Sequence, residues 1–382
     1  MKFKKKIVLI KSGRLEDSIR LPKVIDAIKN EDSNIIVISW DQSCNHHGPV
    51  HPRDTEEISL KLRSLKGIRG IILFPIWWMF IFFHLNRIDP DIIHAFDIDS
   101  IPPAILAGRL RRKPVVYEMI DICEYELVLP QKILGVIVML DKLFMKLANA
   151  VVVVDEMQAF GLGGVPNHRT ITIYDSPPFR LLNNSESNQR KDQKFTIFYV
   201  GMFYRSKRIH LDEVVEAIKR LDNVKLIIAG YGDMIDSVQE WSTTMPDKVE
   251  FIGRISYADV FKVGKKVDLM LILRDPAILA NKYTCGSTFL SAMMLGVPVL
   301  ATKGTSTADK VHEDNSGLVV DSRNVEDIKN AIMMLVDNPD LLRNLGVNAK
   351  KAYDMRYNWS LMERRLLDLY RELGILPTLS SY

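Results

Sequence analysis

Short apolar runs alternate with helix-length segments along the whole chain. In the first half the runs are KIVLI, NIIVISW, PDIIHAF, KPVVY, AVVVV and TITIY; in the second they are FTIFYVG, VKLIIAG, VEFIG, DLMLIL, VPVLAT and GLVV. Strands separated by helices in this way make parallel sheets covered by helices. Each half carries enough strands for its own sheet. The expected fold class is therefore α/β, with two Rossmann-like, doubly wound parallel-sheet domains facing a cleft and ligands at the carboxyl ends of the strands.

A length of 382 residues suits two domains of ordinary size. The stretch DSPPFRLLNNSESNQRKDQK, from Asp175 to Lys194, is rich in Pro, Asn, Ser and charge and reads as an exposed linker. We place the domains at 1–177 and 178–357, followed by a helix in 358–382 that spaces its apolar residues at helical period, ends at Gly374 and is free to cross back to the first domain. Hydrophobic residues at 47% against 26% charged exclude a disordered chain, and the net charge of +4 is too mild for a nucleic-acid partner. Cys44, Cys123 and Cys285 lack metal-ligand spacing, so a disulfide framework is not expected and a reducing compartment is. The opening MKFKKKIVLIKSG holds an apolar run too short for a signal peptide, and a cytoplasmic location is expected.

Two stretches of the second half offer anion sites. FYVGMFYRSKRIHLDEVVEAIKRL runs from a strand through a turn at Gly201 into a helix, with Arg205, Lys207 and Arg208 in the loop. Cations beside a helix N-terminus suit a phosphate. CGSTFLSAMM opens another helix with Gly286, Ser287 and Thr288, whose N–H groups can also face an anion. Taken singly, the first is also compatible with a solvated basic loop and the second with a simple cap.

In order, strand-Gly-x5-Lys-helix, VKLIIAGYGD, VEFIGRISYADVFKVGKKVDLMLIL, SAMMLGVPVLAT and NSGLVV resemble the donor domain of retaining family 4 glycosyltransferases with the GT-B fold. The resemblance implies that Lys207 binds the donor diphosphate, that the turn at Gly286 lies near it, and that Gly253 and Arg254 border the base. Three family positions differ. Met202 stands where the family has an arginine, leaving Arg205 or Arg208 to replace it, and the family's glutamate pair falls on Tyr283 and Ser291, neither of them charged at neutral pH. Ser291 is then expected to face the ribose with one neutral hydrogen bond; the alternative is that it packs small against the neighbouring strand.

The first half, through DPDIIHAFDIDSIPPAILAGRLRRKPVVYEMIDICEYE and SGRLEDSIRLPKVIDAIKNEDSNIIVISWD, resembles the acceptor domain of the same family, with Arg20 and Trp40 at familiar places. The histidine that lies against the donor sugar in relatives aligns with Ile120. The polar residues left near that centre are His94, Asp97, Asp99, Glu118, Asp121 and Glu124. Asp121 and Glu118 are the catalytic candidates, able to orient an acceptor hydroxyl or stabilise positive charge on the sugar; they equally suit capping of helices and turns. His94 reads as structural. From Ile71 to Leu85, IILFPIWWMFIFFHL is too short to cross a bilayer, and with Lys61, Arg63, Lys66 and Arg69 beside it suits a helix lying on an anionic membrane at the inner face of the cell membrane. A helix buried between sheet and domain would be apolar too. KILGVIVMLDKLFMKLANA reads as ordinary packing.

The expected function is transfer of a sugar from a nucleotide diphosphate sugar to a glycan or lipid-linked acceptor, with retention. Neither a metal nor a further cofactor is expected, because no Asp-x-Asp lies on a loop beside the phosphate site. The alternatives are a non-catalytic binding or scaffolding protein of the same fold, or another GT-B enzyme such as a nucleotide-sugar epimerase or a phosphorylase.

Overall fold

The computed structural model describes residues 4–14, 18–31, 33–42, 55–63, 72–120, 131–161, 163–183, 194–205 and 209–377. Contacts divide the chain into two units, Met1–Tyr174 with Met362–Tyr382, and Asp175–Leu361.

In unit 1 the strands are β1 (Lys5–Ser12), β2 (Ser33–Asp41), β3 (Thr55–Lys61), β4 (Ile92–Phe96), β5 (Val115–Met119), β6 (Ala150–Val153) and β7 (Thr170–Thr172). They form a parallel sheet in the order β3-β2-β1-β4-β5-β6-β7, with Ile7 opposite Ile35 on one side and Ile92 on the other. The order reverses between β1 and β4, so the carboxyl ends of these two strands are where a doubly wound sheet accepts ligands. The strand β3 escapes the sequence reading. TEEISLK is polar and only half-buried, because an edge strand pairs on one side alone and needs little apolar surface.

Helices α2 (Phe74–Ile88), α3 (Ile101–Arg111) and α4 (Gln131–Leu147) link strands that step in one direction across the sheet. Right-handed crossovers therefore place all three on one face, where they share a core with Val8, Ile38, Trp40 and Tyr117. The α2 side chains facing in are Trp77, Ile81 and Leu85, four residues apart, with the Trp77 ring 5.9 Å from that of Trp40. Trp78 is half-buried and its indole N–H donates to the Asp99 carbonyl at 2.8 Å. In the Ile71 to Leu85 block the tryptophans thus serve the core, while Ile76, Met79 and Phe83 face outward. Ile71 lies outside the described residues.

Unit 2 holds β8 (Phe195–Met202), β9 (Val224–Tyr231), β10 (Val249–Phe251), β11 (Leu269–Ile272), β12 (Val299–Thr302) and β13 (Gly317–Val320), all parallel, in the order β10-β9-β8-β11-β12-β13. Its helices include α5 (Leu211–Lys219), α6 (Tyr257–Gly264) and α7 (Ser287–Leu295). The strand order reverses between β8 and β11. At the carboxyl ends of β8 and β9 the backbones touch: a Cβ on Gly230 would stand 1.8 Å from the Gly201 carbonyl oxygen, which only glycine avoids.

Candidate functional site

At the switch point of unit 2, β8 ends in Gly201 and Met202, and the chain leaving β11 places Arg274 beside them. The backbone N–H of Arg274 donates to the Thr302 hydroxyl at 2.9 Å, fixing the residue across β11 and β12. Its guanidinium lies over Gly286, where a Cβ would come within 2.7 Å of a terminal nitrogen, so a side chain at 286 would push the cation away. Gly286 is the N-cap of α7, which has neither a side-chain cap nor an acidic residue in its first turn. Uncapped N–H groups and an adjacent guanidinium with no ion-pair partner among the described residues repel each other and together attract an anion. Burial pushes the nearby Tyr199 phenol up, and the charge of Arg274 opposes that shift.

The other expected donor contacts are spread more unevenly. Ser287 and Thr288 form the first turn of α7. Arg205 is exposed and engaged at the surface, 3.5 Å from Asp212 and donating to the Ser237 hydroxyl, while its N–H donates to Asp233. Lys207 and Arg208 lie outside the described residues. Gly253 adopts φ +74°, and Arg254 stacks on the ring of Tyr231 at 4.7 Å. Tyr204 meets Tyr231 edge to face, so a cation and two rings gather past the ends of β8, β9 and β10. Tyr283 closes the short helix Leu279–Tyr283, with the Lys282 ammonium over its ring.

Ser291 is where the expectation fails. The side chain is fully buried; its hydroxyl donates to the Ser287 carbonyl at 2.8 Å and lies 3.5 Å from the Tyr257 hydroxyl of α6. A hydroxyl sealed between helices with its proton committed has no face to offer a ribose, so Ser291 packs small, though against α6 and its own helix.

The expected centre of unit 1 is also rearranged. Glu118, a catalytic candidate from sequence, is fully buried and bound by Arg20 Nε at 2.5 Å and His94 Nε2 at 3.0 Å. Burial raises its pKa, but the charge of Arg20 and the contact with His94 win and bring the carboxyl down to about 2. His94 Nδ1 lies 2.7 Å from the hydroxyl of Tyr370, on the final helix Trp359–Glu372. Arg20 holds one oxygen of Glu118 and His94 faces the other, so the group ties the sheet to α1 (Arg20–Lys29) and the final helix. Asp121 and Glu124 lie outside the described residues.

Polar groups do reach the carboxyl ends of β1 and β4. Asp97, in the left-handed region at φ +60°, accepts from the N–H of Ile120 at 2.9 Å and pairs with Lys11 at 3.0 Å. Beside it, burial first and the Asp97 charge second lift Asp99 to about 6. No group of three or more metal-ligating side chains is placed to hold a metal among the described residues.

Residues 182–352 match the family model for glycosyl transferases group 1. Over this segment the chain is similar to the glycosyl transferases group 1 family. An uncharacterised glycosyltransferase of Methanocaldococcus jannaschii is 26% identical over 54% of this chain and 55% of its own length. A GDP-mannose-dependent monoacylated alpha-(1-6)-phosphatidylinositol monomannoside mannosyltransferase of Corynebacterium glutamicum is 24% identical over 41% of this chain and 42% of its own. The chain thus spans about half the length of the curated relatives it matches. The Anabaena protein HepE, solved in complex with UDP, superposes with a TM-score of 0.69 at 18% identity over 96% of this chain and 100% of that one. Its likeness establishes the GT-B fold, and the switch point of unit 2 lies in the segment that matches the family model. Sequence reasoning missed Arg274; the signal was present, since a cation directly after the buried run LMLIL must stand at the mouth of the sheet.

Proposed function

We propose that the protein transfers a sugar from a nucleotide diphosphate sugar to a glycan or lipid-linked acceptor, with retention and without a metal ion. The observation that carries the reading is the unpaired guanidinium of Arg274 over the uncapped start of α7, at the switch point of the family-matched unit. There a leaving diphosphate gains its charge stabilisation from a side chain and helix N–H groups. Lys207, on the loop after β8, adds a second cation in this reading, and Arg274 takes the place of the arginine missing at Met202. The stack of Arg254 on Tyr231 fits a base, as a cation and ring at the ends of β9 and β10 offer a flat platform. A peripheral contact of the Ile71 to Leu85 block with anionic lipid fits an acceptor carried at a membrane surface, and the lipid named for the corynebacterial relative supports that class of acceptor.

Calorimetric titration with UDP and GDP is the test. Wild type should bind at least one, and Arg274→Ala should weaken it about tenfold, since a charge-assisted contact contributes roughly 1.5 to 3 kcal/mol. Equal affinities in wild type and variant would remove Arg274 from the site. No binding of either nucleotide by wild type would favour the rival reading, a non-catalytic protein of this fold. That rival draws on the uncharged Tyr283, the sealed Ser291 and Ile120 in place of a histidine.

A further inference from the structure

The two faces of the unit 1 sheet are finished differently. One is closed by α1 (Arg20–Lys29) and the final helix, tied together by Arg371 and Glu31 at 3.3 Å. The other is covered by α2, α3 and α4, whose inward residues share a single core. Their outward residues are apolar as well: Met79 and Phe83 on α2, Leu106 and Leu110 on α3, and Met139 and Leu143 on α4 are all exposed. Helix α4, which sequence assigns to ordinary packing, thus bares a full apolar stripe. Exposed apolar side chains repeated on three neighbouring helices mark an interaction site rather than scatter.

The charges on the same layer have one sign. Across the three helices the only acidic residue is Asp141, which is buried and accepts from the Tyr117 hydroxyl at 2.6 Å. Arg87, Arg109 and Lys146 are exposed, and Lys142 is half-exposed. Where α3 and α4 end, a pocket of about 550 Å³ is lined by Arg109, Arg112, Lys113 and Arg169, with Glu372 as its acidic member, 3.6 Å from Arg169. At the end of α2, Asp89 is occupied by Arg111 and Lys113 at 3.0 and 3.6 Å.

We infer that α2, α3 and α4 form one docking face for an anionic lipid bilayer, with apolar side chains in the acyl boundary and the cations at the phosphates. A protein partner with a mixed-charge rim would leave these cations unmatched, whereas an anionic lipid surface answers both the apolar stripe and the single sign of charge. No described helix is long and apolar enough to cross a membrane. The inference extends the membrane contact proposed for the Ile71 to Leu85 block and does not depend on the donor site.

Flotation of the full chain with vesicles tests it. Wild type should float with phosphatidylcholine vesicles containing phosphatidylglycerol and much less with phosphatidylcholine alone. Phe83→Ser with Met139→Ser and Leu143→Ser should cut partitioning at least tenfold while melting and nucleotide affinity stay as in wild type. Met139→Ser with Leu143→Ser alone should also weaken it, which a contact made by the Ile71 to Leu85 block alone does not predict. Failure of wild type to float with either vesicle, or equal partitioning of wild type and the triple variant, overturns the inference. A wild-type dimer in sedimentation that the triple variant abolishes, without flotation, overturns it too and assigns the face to a second copy. Nucleotide titration on the same samples keeps either failure distinct from failure of the donor site.

Discussion

Replacing Glu118 by glutamine removes the charge between Arg20 and His94 and leaves the shape. In the native protein burial alone would raise the carboxyl, yet the two basic partners carry it from 4.5 down to about 2. At about 1.36 kcal/mol for each tenfold change in proton affinity, that fall corresponds to about 3 kcal/mol of stability at neutral pH. The sign follows from the direction: a carboxyl depressed by folding stabilises fully above its ordinary value, and the contribution is lost as pH falls through about 2. The variant also takes the carboxylate away from the guanidinium of Arg20, which is 2% exposed and keeps its contact with the Tyr174 carbonyl; removing one member of a buried ion pair costs roughly 3 to 5 kcal/mol. A chain of two units need not unfold in one step, so hydrogen exchange of peptides from β4 and β5 is the suitable readout. Glu118→Gln should lower protection there by about 3 kcal/mol at pH 7 and flatten the loss of protection toward acid. Turnover per folded molecule should be retained. Protection within about 0.5 kcal/mol of wild type would refute the network argument, and full protection with abolished turnover would restore Glu118 as a catalytic carboxylate.

Two further substitutions probe the sites. Ser291→Glu buries a carboxylate between α6 and α7, where the described partners of Ser291 are the Tyr257 hydroxyl and the Ser287 carbonyl and neither is a cation, so thermal melting should show unit 2 destabilised by roughly 3 to 5 kcal/mol, with no tighter nucleotide binding in calorimetry; a tighter complex would mean that this position opens to the nucleotide after all. Asp99 is raised to about 6, so its native form holds a proton more tightly than the unfolded chain: the resulting stability is complete below its ordinary 3.8 and lost as pH rises through 6. Asp99→Asn should therefore melt higher than wild type near neutral pH and equally in acid, and a pH-independent difference would refute the assignment.

What the sequence made legible was backbone. The apolar runs at KIVLI, DIIHAF, FTIFYVG and DLMLIL locate β1, β4, β8 and β11, and the switch points follow from their order. A strand such as β3 leaves little trace because its edge position asks for little burial. Pairings between distant residues left none. Glu118 looks like a free carboxylate until the fold brings in Arg20 from 98 residues away. Arg274 and Gly286 belong to one surface only once β11 and α7 are side by side. The period that marks α4 as a helix is the same whether its apolar stripe meets a neighbour or water, so its exposure could be read only from the layer around it.

Unit 1 is discontinuous, and this orders events at the ribosome. His94 and Tyr370 are 276 residues apart in the chain, so the sheet emerges long before the helix that closes its inner charges. Until Asp175–Leu361 has been synthesised, Arg20, Glu118 and His94 must wait hydrated under an open face. Vectorial folding therefore favours unit 2 as the first to complete its core, and a nascent chain stalled before residue 362 would carry an unfinished unit 1.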